Sequence, residues 1–347
     1  MSALFGVIEG FYGRQWSWSQ RHELLELLPV LQCNAYCYAP KGDAMLRRLW
    51  REEWPAAYFQ QLASLAGVAR KLGVSFGVGL SLLDYCRDDD ARLQQKIEHL
   101  NRLQLGHLGI FFDDMRGDDE GLLDRQLRVV ELIRLNSNAE KLIFCPTYYT
   151  TDPVLESVFG ARPDHYWPRL AKELPPSLQC FWTGPAVCSK HLGHREAADA
   201  LRLLGRKPAI WDNYPVNDGR ITSRFLHLRP HQQRMLTPAS YHSYFLNPMN
   251  QYELSLPVIA AARLAVAGSR EALQRAYAFA EHRWGEAFAD FYWENTSCVQ
   301  DLGLDNMPTD RHQEMLRTLA NFHNAAAREW LDWLRGGYTF DPACLTS

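Results

Sequence analysis

Two carboxylates stand side by side at Asp113 and Asp114, directly after the apolar residues "LGIFF" at 108–112 and before Met115 and Arg116. An apolar run of that kind reads as a buried strand. Adjacent acids are awkward at its end, because each makes the other harder to ionise. Neighbouring side chains on a strand also point to opposite faces. The two acids can therefore share one site only if the strand is ending and the backbone turns. In that case the pair suits two tasks, one acid staying ionised while the other keeps a proton to donate. Paired acids of this sort serve glycoside cleavage, one protonating the leaving oxygen and the other assisting at the anomeric carbon. An Asp pair after a strand also occurs as a helix cap or a metal ligand pair. The acids that follow, Asp118, Asp119 and Glu120, read as the start of the next helix.

Other polar residues cluster in the same way. "EGFYGR" contains Gly10, "APK" contains Lys41, "CPTYY" contains Cys145 and Tyr149, "WDNYPVND" contains Trp211, Asn213 and Asp218, and "NPMN" contains Asn247. Each follows an apolar run. Amides and carboxylates pair with hydroxyls, and an aromatic covers the apolar face of a sugar, so the set suits a polyhydroxylated ring. Taken singly, Lys41 is equally a surface lysine and "WDNYPVND" equally a structural turn. That all of them fall at strand ends argues for a common site.

The elements that must position these groups are eight short apolar runs, at 4–11, 34–40, 75–81, 108–114, 141–149, 178–184, 207–214 and 241–248. Amphipathic stretches lie between them. "SQRHELLELLPVLQ" has a serine cap near residue 17 or 19, and "AAYFQQLASLAGVARKLG" stops on Gly73. "DARLQQKIEHLNRLQLG" and "GLLDRQLRVVELIRLN" follow the same scheme. Eight β/α units predict an α/β fold, a (β/α)8 TIM barrel, whose site lies at the C-terminal ends of the strands. A doubly wound open sheet is the runner-up, disfavoured by the count and by the lack of a Gly-rich phosphate turn. After about residue 250 the strand signals stop, and 251–268, 269–296 and 310–337 read as helices. The expected division is a catalytic barrel at 1–255 and a C-terminal helical region at 256–347.

Composition narrows the partners. The chain has 347 residues, 47% apolar and 22% charged, with a net charge of −3, so no basic surface for nucleic acid is implied. No apolar run reaches membrane-spanning length, and the start "MSALFGVIEGFYG" has no leader-like pattern. The eight cysteines include no CxxC pair, which reads as reduced thiols in a cytoplasmic protein. "HLGH" at 191–194 offers two histidines without a third ligand, so neither a metal nor any other cofactor is expected. The aromatic-rich helices at 269–335 could cover a partner copy in a homo-oligomer.

In order and spacing, "GVIEGFYGRQW", "YAPKGD", "WREEW", "FFDDM", "FCPTYY", "WTGP", "WDNYPVND" and "NPMNQYELS" resemble the catalytic domain of family 84 glycoside hydrolases. These are β-N-acetylglucosaminidases and include protein O-GlcNAcase. The resemblance runs from about residue 4 to about 260, and the chain looks like a minimal version without the extra domains of many members. It implies a retaining, substrate-assisted reaction on terminal β-linked GlcNAc, in which the sugar's own acetamido oxygen forms an oxazoline. Asp113 would then orient the acetamido N–H, and Asp114 would act as general acid and base. Tyr149 would bond near the acetamido group. Gly10 (through its backbone), Lys41, Asn213, Asp218 and Asn247 would hold hydroxyls and the acetamido region. Trp211 would wall the pocket and Cys145 would line its floor. Gln15, Tyr148 and Arg116 depart from the family pattern. The implied partner is a β-GlcNAc-bearing glycan or glycoprotein. The alternatives are a GlcNAc-binding protein with weak catalysis, or a hexosaminidase acting on cell-wall or host glycans.

Overall fold

Every one of the eight apolar runs forms a strand, and the strands close on one another. The computed structural model describes residues 3–346. Its barrel strands are β1 (Leu4–Glu9), β2 (Ala35–Tyr38), β3 (Ser75–Ser81), β4 (His107–Phe111), β5 (Leu142–Cys145), β6 (Gln179–Trp182), β7 (Ala209–Asp212) and β8 (Ser243–Leu246). All neighbours pair in parallel, and β8 returns to β1 with Val7 opposite Leu246. The architecture is the expected (β/α)8 barrel. Most strands stop two to four residues before the end of the apolar-plus-polar run that predicts them. The polar tails are loops that leave the strand ladder within a residue or two of its end.

Local sequence explains the helices that follow the first four strands. The first, α1 (Trp18–Val30), starts on a reciprocal cap: Ser17 Oγ accepts the Gln20 N–H and Gln20 Oε1 accepts the Ser17 N–H at 2.8 Å. The next, α2 (Ala56–Lys71), is followed by Gly73 at φ +68°, a left-handed residue suited to ending a helix. Then come α3 (Asp90–Asn101) and α4 (Leu122–Asn136). The link from β5 to β6 carries two short helices, Val154–Phe159 and Tyr166–Glu173, and the link from β6 to β7 carries His194–Leu204. Among the described residues no α-helix forms between β7 and β8. That link carries three prolines, a 3-10 turn at Thr222–Arg224 and a two-residue strand, Arg234–Met235, paired in parallel with Leu192–Gly193.

Aromatic rings fill the barrel beneath its C-terminal mouth. Phe111, Phe181 and Trp211 meet with centroids 5.3 to 5.9 Å apart, and Phe245 lies against Phe181 at 5.8 Å. A second core lies outside the barrel, where Phe288, Tyr292, Trp330 and Trp333 pack with Leu226, Leu228 and Leu254. The helix Tyr252–Val266 joins the two: Leu256 and Ile259 belong to the barrel core and Leu254 to the second. The helical reading of 269–296 resolves into Glu271–Trp284 and Glu286–Glu294, broken at Gly285 with φ +85°. Likewise 310–337 resolves into Thr309–Leu319 and Ala325–Leu334, the second capped by Asn324, whose Oδ1 accepts the Ala327 N–H at 2.7 Å.

Candidate active site

The turn that two consecutive acids require is present. β4 ends at Phe111, the Phe112 N–H reaches Cys145 O at 2.9 Å, and the Thr147 hydroxyl closes on Phe112 O at 2.8 Å. Asp114 then sits in the left-handed region at φ +53°, which side-chained residues other than Asn and Asp rarely adopt. The twist lets both carboxylates face the mouth of the barrel. Asp113 pairs with the ammonium of Lys41, which also lies 3.8 Å from Asp114 Oδ2. All three side chains are less than a tenth exposed.

The two acids differ in how they are bound. Asp114 is held on both oxygens, Oδ2 accepting from the Tyr12 hydroxyl at 2.8 Å and Oδ1 from the Tyr149 hydroxyl at 3.3 Å. Burial first, and the Asp114 charge second, push both phenol pKa values far up, so both remain donors. Arg47 donates to the Asp114 backbone carbonyl at 2.9 Å, which fixes the turn. Asp113 is asymmetric: Oδ2 faces Lys41, while Oδ1 is buried without a hydrogen-bond partner. Buried polar atoms in folded proteins are nearly always paired, so an open acceptor on a residue that lines a cavity marks a place for a ligand donor.

That cavity collects every sequence-predicted site residue: Gly10, Lys41, Asp113, Asp114, Cys145, Tyr149, Trp211, Asn213, Asp218 and Asn247. Gly10 must be glycine, because a Cβ there would lie 2.3 Å from the Trp211 indole. Its N–H is held by Asn247 Oδ1 at 3.1 Å. Asn247 Nδ2 donates to Asn213 Oδ1 at 3.0 Å, and Asn213 Nδ2 to Val187 O at 2.9 Å, so the two amides form one relay along the wall. The Trp211 indole N–H is buried and unpartnered as well. Asp218 accepts the Tyr12 N–H at 2.7 Å. Burial, with a smaller push from Asp114, raises its pKa to about 6. Burial drives the Cys145 thiol well above its usual range, so it is an apolar filler and not a thiolate.

Some positions lie elsewhere. Asp118 and Asp119 sit in the turn before α4 and pair with Arg116 and Arg125. Tyr148 turns away from the cavity and donates to Gly160 O at 2.7 Å. His191 faces Glu196 at 3.6 Å and His194 faces Ser240 at 3.2 Å. Among the described residues no three metal-ligating side chains converge. Sequence reasoning left out Tyr12, Thr183, Val187, Cys344 and Thr346, which also line the cavity. Tyr12 and Thr183 lie inside the strand-end motifs "EGFYGR" and "WTGP", which could have flagged them. Nothing marks 344–346.

The parallel eight-stranded barrel thus holds consecutive carboxylates, a buried lysine and two linked amides at one mouth. A family model described as beta-N-acetylglucosaminidase matches residues 5–297, and the chain belongs to that family, family 84 of the glycoside hydrolases. It is 30% identical over 228 residues to the protein O-GlcNAcases of Rattus norvegicus and Mus musculus. The match covers 62% of this chain and 25% of each relative, so the chain spans about a quarter of their length. A solved structure of a mutant O-GlcNAc hydrolase from Thermobaculum terrenum superposes with a TM-score of 0.80 at 25% identity, over 96% of this chain and 81% of that one.

Proposed function

We propose that the chain is a retaining exo-β-N-acetylglucosaminidase, O-GlcNAcase-like in its reaction, that works through its substrate's own acetamido group. The single observation that carries the reading is the asymmetry of Asp113. One oxygen is neutralised by Lys41, and the other is a buried acceptor with no partner. An acetamido N–H placed on that oxygen gains a charge-assisted hydrogen bond that strengthens as the nitrogen becomes positive.

The steps then balance. The acetamido carbonyl oxygen bonds to the anomeric carbon while the glycosidic C–O bond breaks, and Asp114 gives its proton to the departing oxygen. An oxazolinium remains, its N–H shared with Asp113. Asp114, now a carboxylate, takes a proton from water as that water bonds to the anomeric carbon and the ring opens. Two displacements on one carbon leave its configuration as it began. Trp211 supplies the flat wall, and Asp218, Asn213 and Asn247 supply groups for sugar hydroxyls. The scattered spacing of the eight cysteines, with no CxxC pair, is the basis for placing this work in a reducing, cytoplasmic setting. No helix among the described residues is long and apolar enough to cross a membrane.

The test is turnover of an aryl β-GlcNAc glycoside followed by NMR. β-GlcNAc should appear first, and the matching glucoside should be inert. An α-anomer as first product, or equal rates with a 2-hydroxyl, would falsify the reading.

A further inference from the structure

The barrel alone does not line the sugar cavity. All but two of the lining residues belong to the ends of the barrel strands and the loops beyond them; the exceptions, Cys344 and Thr346, come from the far end of the chain. With those two in place the free volume is about 50 Å³. A buried water needs about 10–15 Å³, so a few waters fit. Pockets that hold small organic ligands run to about 300–1,000 Å³. A pyranose ring with its acetamido group has no room beside Cys344 and Thr346.

The segment that carries them is anchored at both ends and loose between. After the helix Ala325–Leu334 the chain turns at Gly336, with φ +77°. Its root is fixed at the rim of the barrel, where the Arg14 guanidinium lies over the Tyr338 ring at 4.2 Å, donates to Gly337 O at 2.9 Å and pairs with Asp332. Asp341 then redirects the chain, its carbonyl accepting the Cys344 N–H at 2.9 Å and its carboxylate the Ala343 N–H at 2.9 Å. The tip is held by Thr346, which hydrogen-bonds to Tyr149, the tyrosine whose hydroxyl reaches Asp114. No helix or strand forms over 337–346, and Pro342, Ala343 and Leu345 are exposed. Segments with few buried contacts and no hydrogen-bonded ladder open at low cost.

Resting on the proposed hydrolysis, we infer that residues 337–346 are an autoinhibitory strap, which fills the sugar subsite of the empty enzyme and swings out before a β-GlcNAc residue enters. The strap is an imperfect occupant, and that makes the exchange possible. It leaves Asp113 Oδ1 without a partner. An entering acetamido N–H satisfies that oxygen, so the sugar has a differential affinity for the open state. In such an equilibrium the apparent Kd is the intrinsic value divided by the fraction of open chains. Contacts that hold the strap therefore act on KM and leave kcat alone.

The experiment uses the full chain and two readouts. In the first, the protein is treated with iodoacetamide with and without a saturating 1,2-thiazoline analogue of GlcNAc, and alkylation at Cys344 is followed by peptide mass spectrometry. Cys86, exposed on another loop, is the reference. The analogue should speed alkylation of Cys344 several-fold relative to Cys86, because the displaced strap carries its thiol into solvent. Slower or unchanged alkylation means that no ligand displaces the strap, and overturns the inference. In the second, Arg14→Ala frees the root and Asp341→Ala loosens the bend. Each should lower KM for an aryl β-GlcNAc glycoside by about two- to fivefold at the parent's kcat, the size expected for losing exposed polar contacts. An unchanged or raised KM in both, with parent-like melting, also overturns the strap. If the parent does not cleave the aryl glycoside, the hydrolase reading falls, while the Cys344 readout still decides the strap.

Discussion

Buried acids stand at the ends of three barrel strands, and they fall into two kinds. Glu9 ends β1 and Asp212 ends β7, and each is enclosed. Glu9 accepts from both Arg21 nitrogens, at 2.8 Å for Nε, and from the Tyr36 hydroxyl. Asp212 accepts from Arg234 Nε at 2.9 Å, from Nη2 at 2.7 Å and from the Tyr244 hydroxyl. Burial pushes the Asp212 pKa up, but Arg234 outweighs it and holds the carboxyl below its ordinary value. Asp113, beyond β4, has the same depth of burial and a cation beside it, yet one oxygen is left open. The saturated acids have nothing left for a ligand and act as clamps between strand, helix and loop. The unsaturated one retains a valence that folding did not use. Where a carboxylate's remaining hydrogen bonds go separates scaffold from chemistry more sharply than burial does.

The contrast breaks most directly at the site. Asp114→Asn should lower kcat by about 10²–10⁴-fold with an unfolding midpoint close to the parent's, because general acid–base contributions are of that size. Asp113→Asn should fall comparably on substrates that keep the acetamido group. Stopped assays beside urea melts check both, and an intact rate in either would erase the distinction. The clamps should behave oppositely. Glu9→Gln or Asp212→Asn leaves a buried arginine without its counter-charge, an expected loss of about 3–5 kcal/mol in stability. Normal urea midpoints with turnover alone abolished would show that these acids, too, belong to the chemistry.

A buried acid outside the barrel sharpens the scale. Glu329 accepts the Leu254 N–H at 3.2 Å at the start of the helix Tyr252–Val266, and burial raises its pKa to about 8. A raised acid favours the fold in its neutral form. That stability is present below the unfolded pKa near 4.5 and is lost as pH rises through about 8. Melting temperature should fall by several degrees between about pH 5 and pH 9, and Glu329→Gln should flatten the slope. The smallest effect concerns Asp218. Its pKa near 6 means that it is protonated at lower pH, when one of its oxygens carries a proton and it accepts more weakly from the Tyr12 N–H and sugar hydroxyls. KM should rise by about two- to threefold between pH 7 and pH 5, and Asp218→Asn should remove that dependence.

Much of this was legible before any coordinates. The periodic apolar runs contain seven of the eight strands, β4 starts one residue ahead of its run at His107, and β3 matches its run at both ends. The acid pair, with the alternation rule for strands, demanded a turn, and Asp114 supplies it. Ten strand-end residues converge on one cavity. What escaped depends on contacts far apart in sequence. Whether Glu9, Asp212 or Asp113 is saturated is decided by Arg21, Arg234 and Lys41, whose partners no local pattern reveals. Tyr12 reaches Asp114 across 102 positions. The helix breaks at Gly285 and before Asn324 follow from packing of the second core, and the path of 338–346 over the mouth has no periodic signal at all.

The backbone twist at Asp114 also limits how this lineage can drift. A left-handed residue costs most L-amino acids about 1–2 kcal/mol, with glycine exempt and asparagine and aspartate least affected. Descendants of this fold that abandon hydrolysis and keep only sugar recognition are therefore expected to carry asparagine or glycine there, since a valine or isoleucine would unseat the loop along with the reaction.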